Sequence, residues 1–130
     1  MSSFDPCRMF RKLAYNNALA NSRLLAACAT LEPGEFEATR TSFFPSIKST
    51  LNHTLTVDWF YIDGLEGGTL GLRAFDIEEP FDDLPSLSTE QAKVDRRLVA
   101  ICEGLTPERL ASTVELQRDG RVQRERMEDV

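Results

Sequence analysis

The hydrophobic pattern divides the chain into three long helical stretches and a short hairpin. The first runs from Asp5-Pro6, where the acid suits an N-cap and the proline a first helical turn, to about Thr30. Phe10, Leu13, Ala14, Ala20, Leu24, Ala27 and Cys28 recur at helical spacing along it, while Arg8, Arg11, Lys12, Tyr15, Ser22 and Arg23 fall off the stripe. Asn17 and Asn21, four apart, interrupt the stripe. A buried amide needs partners, so they read as interhelical hydrogen-bonding groups or as residues lining a pocket.

The second stretch, SFFPSIKSTLNHTLTVDWFYIDGLE, carries the only histidine, His53. Ser42 as cap, Pro45 and Ser46 in the first turn and Gly67-Gly68 as stop predict a helix over about Pro45 to Glu66. At about 100° per residue, Lys48, Ser49, Asn52, Thr56, Asp63 and Glu66 gather on one polar side, with Trp59 at its margin. Ile47, Leu51, Leu55, Ile62 and Leu65 fill the middle of a wide apolar arc, with Val57 and Phe60 towards one edge and His53 and Asp58 inside it. An arc of that breadth needs more than one neighbour, which predicts a helical bundle.

Between the helices, Pro33-Gly34 breaks the chain, and Phe36, Phe43 and Phe44 predict that this connection packs onto the bundle. The segment from Gly67 to Leu87 holds glycines, prolines and acids, yet Leu70, Leu72, Phe75, Ile77, Phe81 and Leu84 recur through it. That is too much apolar surface for a disordered linker. Its length lets the next helix run parallel to the second, because an extended residue covers about 3.3 Å and a helical one about 1.5 Å. Ser88 and Gln91 form a capping-box pattern for a third helix with Glu90 in its first turn and Val94, Leu98, Ile101, Cys102 and Leu105 on its core stripe. Thr106-Pro107 starts a short helical turn to about Ala111. Thr113 to Arg118 and Arg121 to Glu125 then flank Asp119-Gly120, a favoured hairpin turn. Arg126 to Val130 has the charge and spacing of a helix just starting.

Composition changes this picture little. With 130 residues the chain reads as one domain, 1–130, that reaches its C-terminus in mid-element. The net charge of −6, without a dense Lys/Arg stripe, argues against nucleic acid and anionic membrane as partners. Cys7, Cys28 and Cys102 are odd in number and far apart, which argues against a disulfide framework or thiolate zinc site and for free thiols in a reducing cytoplasm. No apolar run has the length of a transmembrane span or the form of a signal peptide. Phosphate-binding glycine loops and nucleophile-elbow motifs are absent too.

That leaves His53 as the candidate site residue. A neutral imidazole can ligate a divalent metal through one nitrogen while the other is oriented by an acceptor, or it can make an ordinary hydrogen bond to a neighbouring helix. Asp58 likewise reads as a paired core carboxylate or as an outer residue near a ligand.

Three stretches, in order, resemble the DinB family of small bacterial helical bundles: LAYNNALANSRLLAAC, TSFFPSIKSTLNHTLTVDWFYIDGLEG and STVELQRDGRVQRERMEDV. The most specific piece is LNHTLTVDWFYIDGLEG, with its histidine and aspartate. The resemblance implies an all-α fold, an up-down-down-up four-helix bundle of which three helices and a small β-hairpin lie in this chain. It also implies a divalent metal, zinc, nickel or iron, held by three histidines. One matches His53, and the other two form an H-x-x-x-H pair on a fourth helix. The sequence reaches Val130 where that helix would begin and has no second histidine, so the 130-residue chain is expected to hold little or no stoichiometric metal. The implied activity is that of a metal-dependent transferase or hydrolase, with thiol S-transfer known among relatives and a low-molecular-weight thiol as a candidate small-molecule substrate. The alternative is a non-catalytic interaction protein. In either case the uncovered part of the wide arc predicts a further helix or a second copy of the chain, as in a homodimer.

Overall fold

The computed structural model describes residues 3–130, and its core is organised around a helix that touches both of the others. Helix α1 spans Arg8–Cys28, α2 spans Ile47–Leu65 and α3 spans Leu84–Glu103. The one-turn helix α4 (Pro107–Leu110) leads into strands β1 (Thr113–Arg118) and β2 (Arg121–Arg126). These pair antiparallel from Thr113 opposite Arg126 to Arg118 opposite Arg121. Two 3-10 turns, Gly71–Phe75 and Met127–Asp129, complete the chain. No helix among the described residues is long and apolar enough to cross a membrane.

The helix directions follow from paired residues. Asn52 of α2 meets Phe81 just before α3, Asp58 meets Gln91, and Glu66 just after α2 meets Arg97, so α2 and α3 run parallel. Asn17 and Asn21 of α1 meet Asp95, while Leu25 and Cys28 pack with Leu87, so α1 runs antiparallel to α3. The up-down-down order is thus the one that the crossover length allows.

Helices α2, α3 and α4 begin where a side chain satisfies an orphan N–H group. In α2 the cap is Ser46, whose Oγ accepts from the Ser49 N–H at 2.9 Å, and not Ser42 as the sequence pattern predicts. Ser42 instead bonds within the preceding loop, to the Phe44 carbonyl. Helix α3 begins a turn earlier than the Ser88-Gln91 pattern predicts. Asp83 accepts from the Ser86 N–H at 2.8 Å, and Pro85 fits a first turn that needs no N–H from it. Gln91 is thereby carried into the core instead of serving a cap.

Two further expectations are corrected. His53, read inside the apolar arc of α2, is exposed, whereas Asn52 and Thr56 of the polar side are 0% and 2% exposed. The buried arc is rotated because the crossover lies over Asn52 and Thr56 and satisfies the amide. On α1 the buried seam is Cys7, Ala14, Leu25 and Cys28, with Asn17 and Asn21 half-buried on the same line. Leu13 and Leu24, expected on the core stripe, are 55% and 49% exposed. Helix α1 packs chiefly on α3, and its two asparagines fix that face by bonding Asp95.

Crossover and hairpin share a second core region. Phe60 of α2 packs with Ala74, Val114 and Leu116, with Leu70, Phe75 and Met127 around them. Burying an aliphatic side chain of this kind contributes roughly 1.5–3 kcal/mol. Leu72 and Ile77, read from the sequence as crossover anchors, are exposed.

Candidate functional site

The site is built on the exposed side of α2, where His53 meets two loops. The loop before α2 is tied to its first turn by the Lys48 N–H, which donates to the Phe36 carbonyl at 3.0 Å. It places the Phe44 ring on the His53 imidazole, with centroids 4.4 Å apart and planes 30° apart, and Phe43 stands edge-on to Phe44 at 4.9 Å. From the other side the crossover brings Phe75, Glu78 and Glu79. The Ser49 hydroxyl donates to Glu79 Oε1 at 3.0 Å, and the Asn52 amide holds the Phe81 backbone, so this segment is fixed at two points.

Between these walls lies an open cleft of about 490 Å3, lined also by Pro45 and Thr56. That is within the usual range for small-molecule sites. Its lining has two carboxylates and no Lys or Arg. Lys48, the nearby cation of α2, is paired with Asp82 at 3.0 Å.

Stacking fixes the plane of the imidazole and leaves its edge open. Among the described residues nothing hydrogen-bonds either ring nitrogen of His53, so the interhelical hydrogen bond of the plainer sequence reading is not formed. Ser49 lies one turn before His53 but turns its hydroxyl to Glu79 and Ser46, which rules out a serine–histidine pair in this geometry.

The residues present do not fit a metal centre. One imidazole is a single ligand where a catalytic zinc site uses three, and no group of three His, Cys, Asp or Glu among the described residues is placed to hold an ion. All three cysteines are buried and outside the cleft. Burial pushes the Cys28 and Cys102 thiols up, away from thiolate.

Asn17, Asn21 and Asp58 belong to a different constellation. Asn17 and Asn21 donate to Asp95 at 3.0–3.3 Å, and Gln91 Nε2 bridges Asp58 (2.8 Å) and Asp95 (3.0 Å). Burial raises the Asp58 carboxyl above its ordinary range, Gln91 opposes this by hydrogen bonding, and the nearby Asp95 adds to the rise. This is a polar seam joining all three long helices, the structural alternative for all three residues.

Sequence reasoning found His53 because it is unique, and missed Glu78, Glu79 and Phe75 as its companions. They sit on a connection without period, and only the acid run next to recurring phenylalanines hinted at them. Gln91 and Asp95, spaced i and i+4 beside Val94 and Leu98, were a readable signal that the capping-box pattern concealed.

Comparison with known proteins adds one result. No curated protein and no solved structure matches the sequence. The DinB family model matches residues 3–127, nearly the whole chain and both sides of the cleft, and the chain belongs to the DinB family.

Proposed function

We propose that the cleft at His53 is a small-molecule site, and that the protein performs binding or group-transfer chemistry of the DinB kind there. The observation supporting this most directly is the imidazole itself, held flat by Phe44 at the mouth of the cleft with both nitrogens free among the described residues. An imidazole so placed can take or give a proton, or donate a lone pair to a ligand's metal. Metal dependence, with zinc, nickel or iron and a thiol substrate, belongs to this reading only if other donors join His53. One source is a second copy of the chain, and a homodimer is the assembly we propose.

The single histidine makes the test direct, since its two carbon-bound ring protons need no assignment. A panel of small fragments is titrated while those resonances are followed. Fragments that raise the melting temperature are expected to move them, and to lose their effect in His53→Ala. Fragments that stabilise the protein while leaving the imidazole resonances still would place the ligand site elsewhere and overturn the reading.

A further inference from the structure

We infer that the ligand taken by this cleft is an organic cation, an ammonium group carrying small apolar substituents. The inference rests on the cleft being the ligand site and adds the chemical class. Two of its walls are the half-buried phenylalanine rings of Phe44 and Phe75, Phe43 stands 94% exposed at the rim and not packed on the bundle as the sequence pattern predicts, and two of its polar groups are the exposed carboxylates of Glu78 and Glu79. Aromatic faces attract a cation through the ring quadrupole, while their surface matches the methyl or methylene groups around an ammonium nitrogen.

Charge points the same way. Glu79 is held in place by Ser49 at 3.0 Å, and Glu78 has neither a hydrogen bond nor an ion pair among the described residues. With Lys48 engaged by Asp82 and neither Lys nor Arg in the lining, no fixed cation answers the two acids, so a carboxylate- or phosphate-bearing ligand would meet like charge. The net charge of −6 adds a long-range field of the same sign, which draws cations and repels anions. A bare divalent ion would use the acids but not the rings, and the donors are not placed to enclose one. Both features of the cleft are used together by an ammonium with an apolar coat.

Three probes of one shape separate the cases: choline, its neutral isostere 3,3-dimethylbutan-1-ol, and the anion 3,3-dimethylbutanoate. Binding is read by calorimetry and by the His53 ring protons. Choline is expected to move those protons and to bind about ten-fold more tightly than the alcohol, with the advantage shrinking as salt rises. The anion should bind least. In E78Q/E79Q choline should fall to the level of the alcohol, with the alcohol's affinity and the melting temperature unchanged. F44L should weaken choline more than the alcohol. If the alcohol or the anion binds as tightly as choline while moving His53, the cation assignment is overturned and the ligand site stands. Choline binding that leaves His53 unmoved would overturn both. Absence of choline binding at millimolar concentration overturns the cation assignment, and the fragment titration then decides the site independently.

Discussion

Asn52 and Phe81 exchange two hydrogen bonds, the side-chain amide donating to the Phe81 carbonyl at 2.9 Å and its oxygen accepting from the Phe81 N–H at 3.0 Å. The side chain acts as a strand partner would, satisfying the donor and acceptor of one crossover residue from the face of a helix. Its second amide proton bond goes to the Lys48 carbonyl within α2, also at 3.0 Å. Because the same segment carries Glu78 and Glu79, this contact sets one wall of the cleft.

Asn52→Ala should therefore cost about 2 kcal/mol, the penalty for leaving a buried donor and acceptor without partners. Urea unfolding checks the magnitude. Faster hydrogen exchange at the Phe81 amide checks the cause, since a mere cavity under Asn52 would leave that amide protected.

The hairpin docks on α2 at Gly64. A Cβ there would overlap Leu116 Cδ2, with the Glu115 carbonyl at 3.8 Å. Gly64→Ala gains about 1 kcal/mol of helix propensity, but the overlap should outweigh it for a net loss of about 1–2 kcal/mol. Leu116→Val removes the opposing methyl. The double variant should then be more stable than the sum of the two single effects predicts, a coupling read from a double-mutant cycle.

The long helices were legible because each has a 3.6-residue apolar period and a breaker after it, and the length of the crossover allowed the parallel course of α2 and α3 that the structure has. What escaped depends on partners that a single period does not contain. Asn52 and Thr56 read as a polar side because nothing in α2 announces that Phe81 will meet Asn52 and that Phe75 will come beside Thr56. Ser88 and Gln91 fit a capping box, yet Asp83 lies five residues earlier before a proline and claims the cap, freeing Gln91 for Asp58 and Asp95. His53 was visible as the one histidine, whereas the rest of its cleft comes from loops.

Asp58 predicts a pH dependence of known sign. Its carboxyl is raised in the folded protein by burial first, so the folded state holds that proton more tightly than the unfolded chain, where the group titrates near pH 3.9. Its contribution to stability is fully present below that value and is lost as pH rises through the folded value. Asp58→Asn keeps an acceptor for Gln91 and cannot ionise. It should be more stable than the wild type at pH 7, and the difference should close as the pH falls towards about 4. Urea midpoints across this range measure it, and a destabilised Asp58→Asn at pH 7 would refute the account.

The proposed homodimer has a testable face. The apolar arc of α2, expected to need a further helix or a second copy, is covered, with Leu51, Leu55, Phe60 and Ile62 buried, whereas Met9, Leu13 and Leu24 stand 64%, 55% and 49% exposed on α1, spaced to share one side of it. If that side is covered by a second copy, Leu13→Glu with Leu24→Glu should convert a dimer to a monomer in sedimentation without loss of helical circular dichroism. A wild-type chain that sediments as a monomer over the whole concentration range would dispose of the dimer.

His53→Ala separates the roles of fold and site. The imidazole is exposed, hydrogen-bonds nothing among the described residues and stacks on the half-buried Phe44, so unfolding free energy should change by no more than about 1 kcal/mol. Metal content should respond differently. A lone imidazole competes poorly with water and buffer for a divalent ion, so elemental analysis of the 130-residue chain should find zinc, nickel and iron well below one equivalent. Any bound fraction should disappear in His53→Ala, and a stoichiometric fraction should appear in the wild type only where another chain brings donors to the cleft, so that metal loading and dimer formation rise together. Equal metal content in wild type and His53→Ala would remove the imidazole from metal binding altogether.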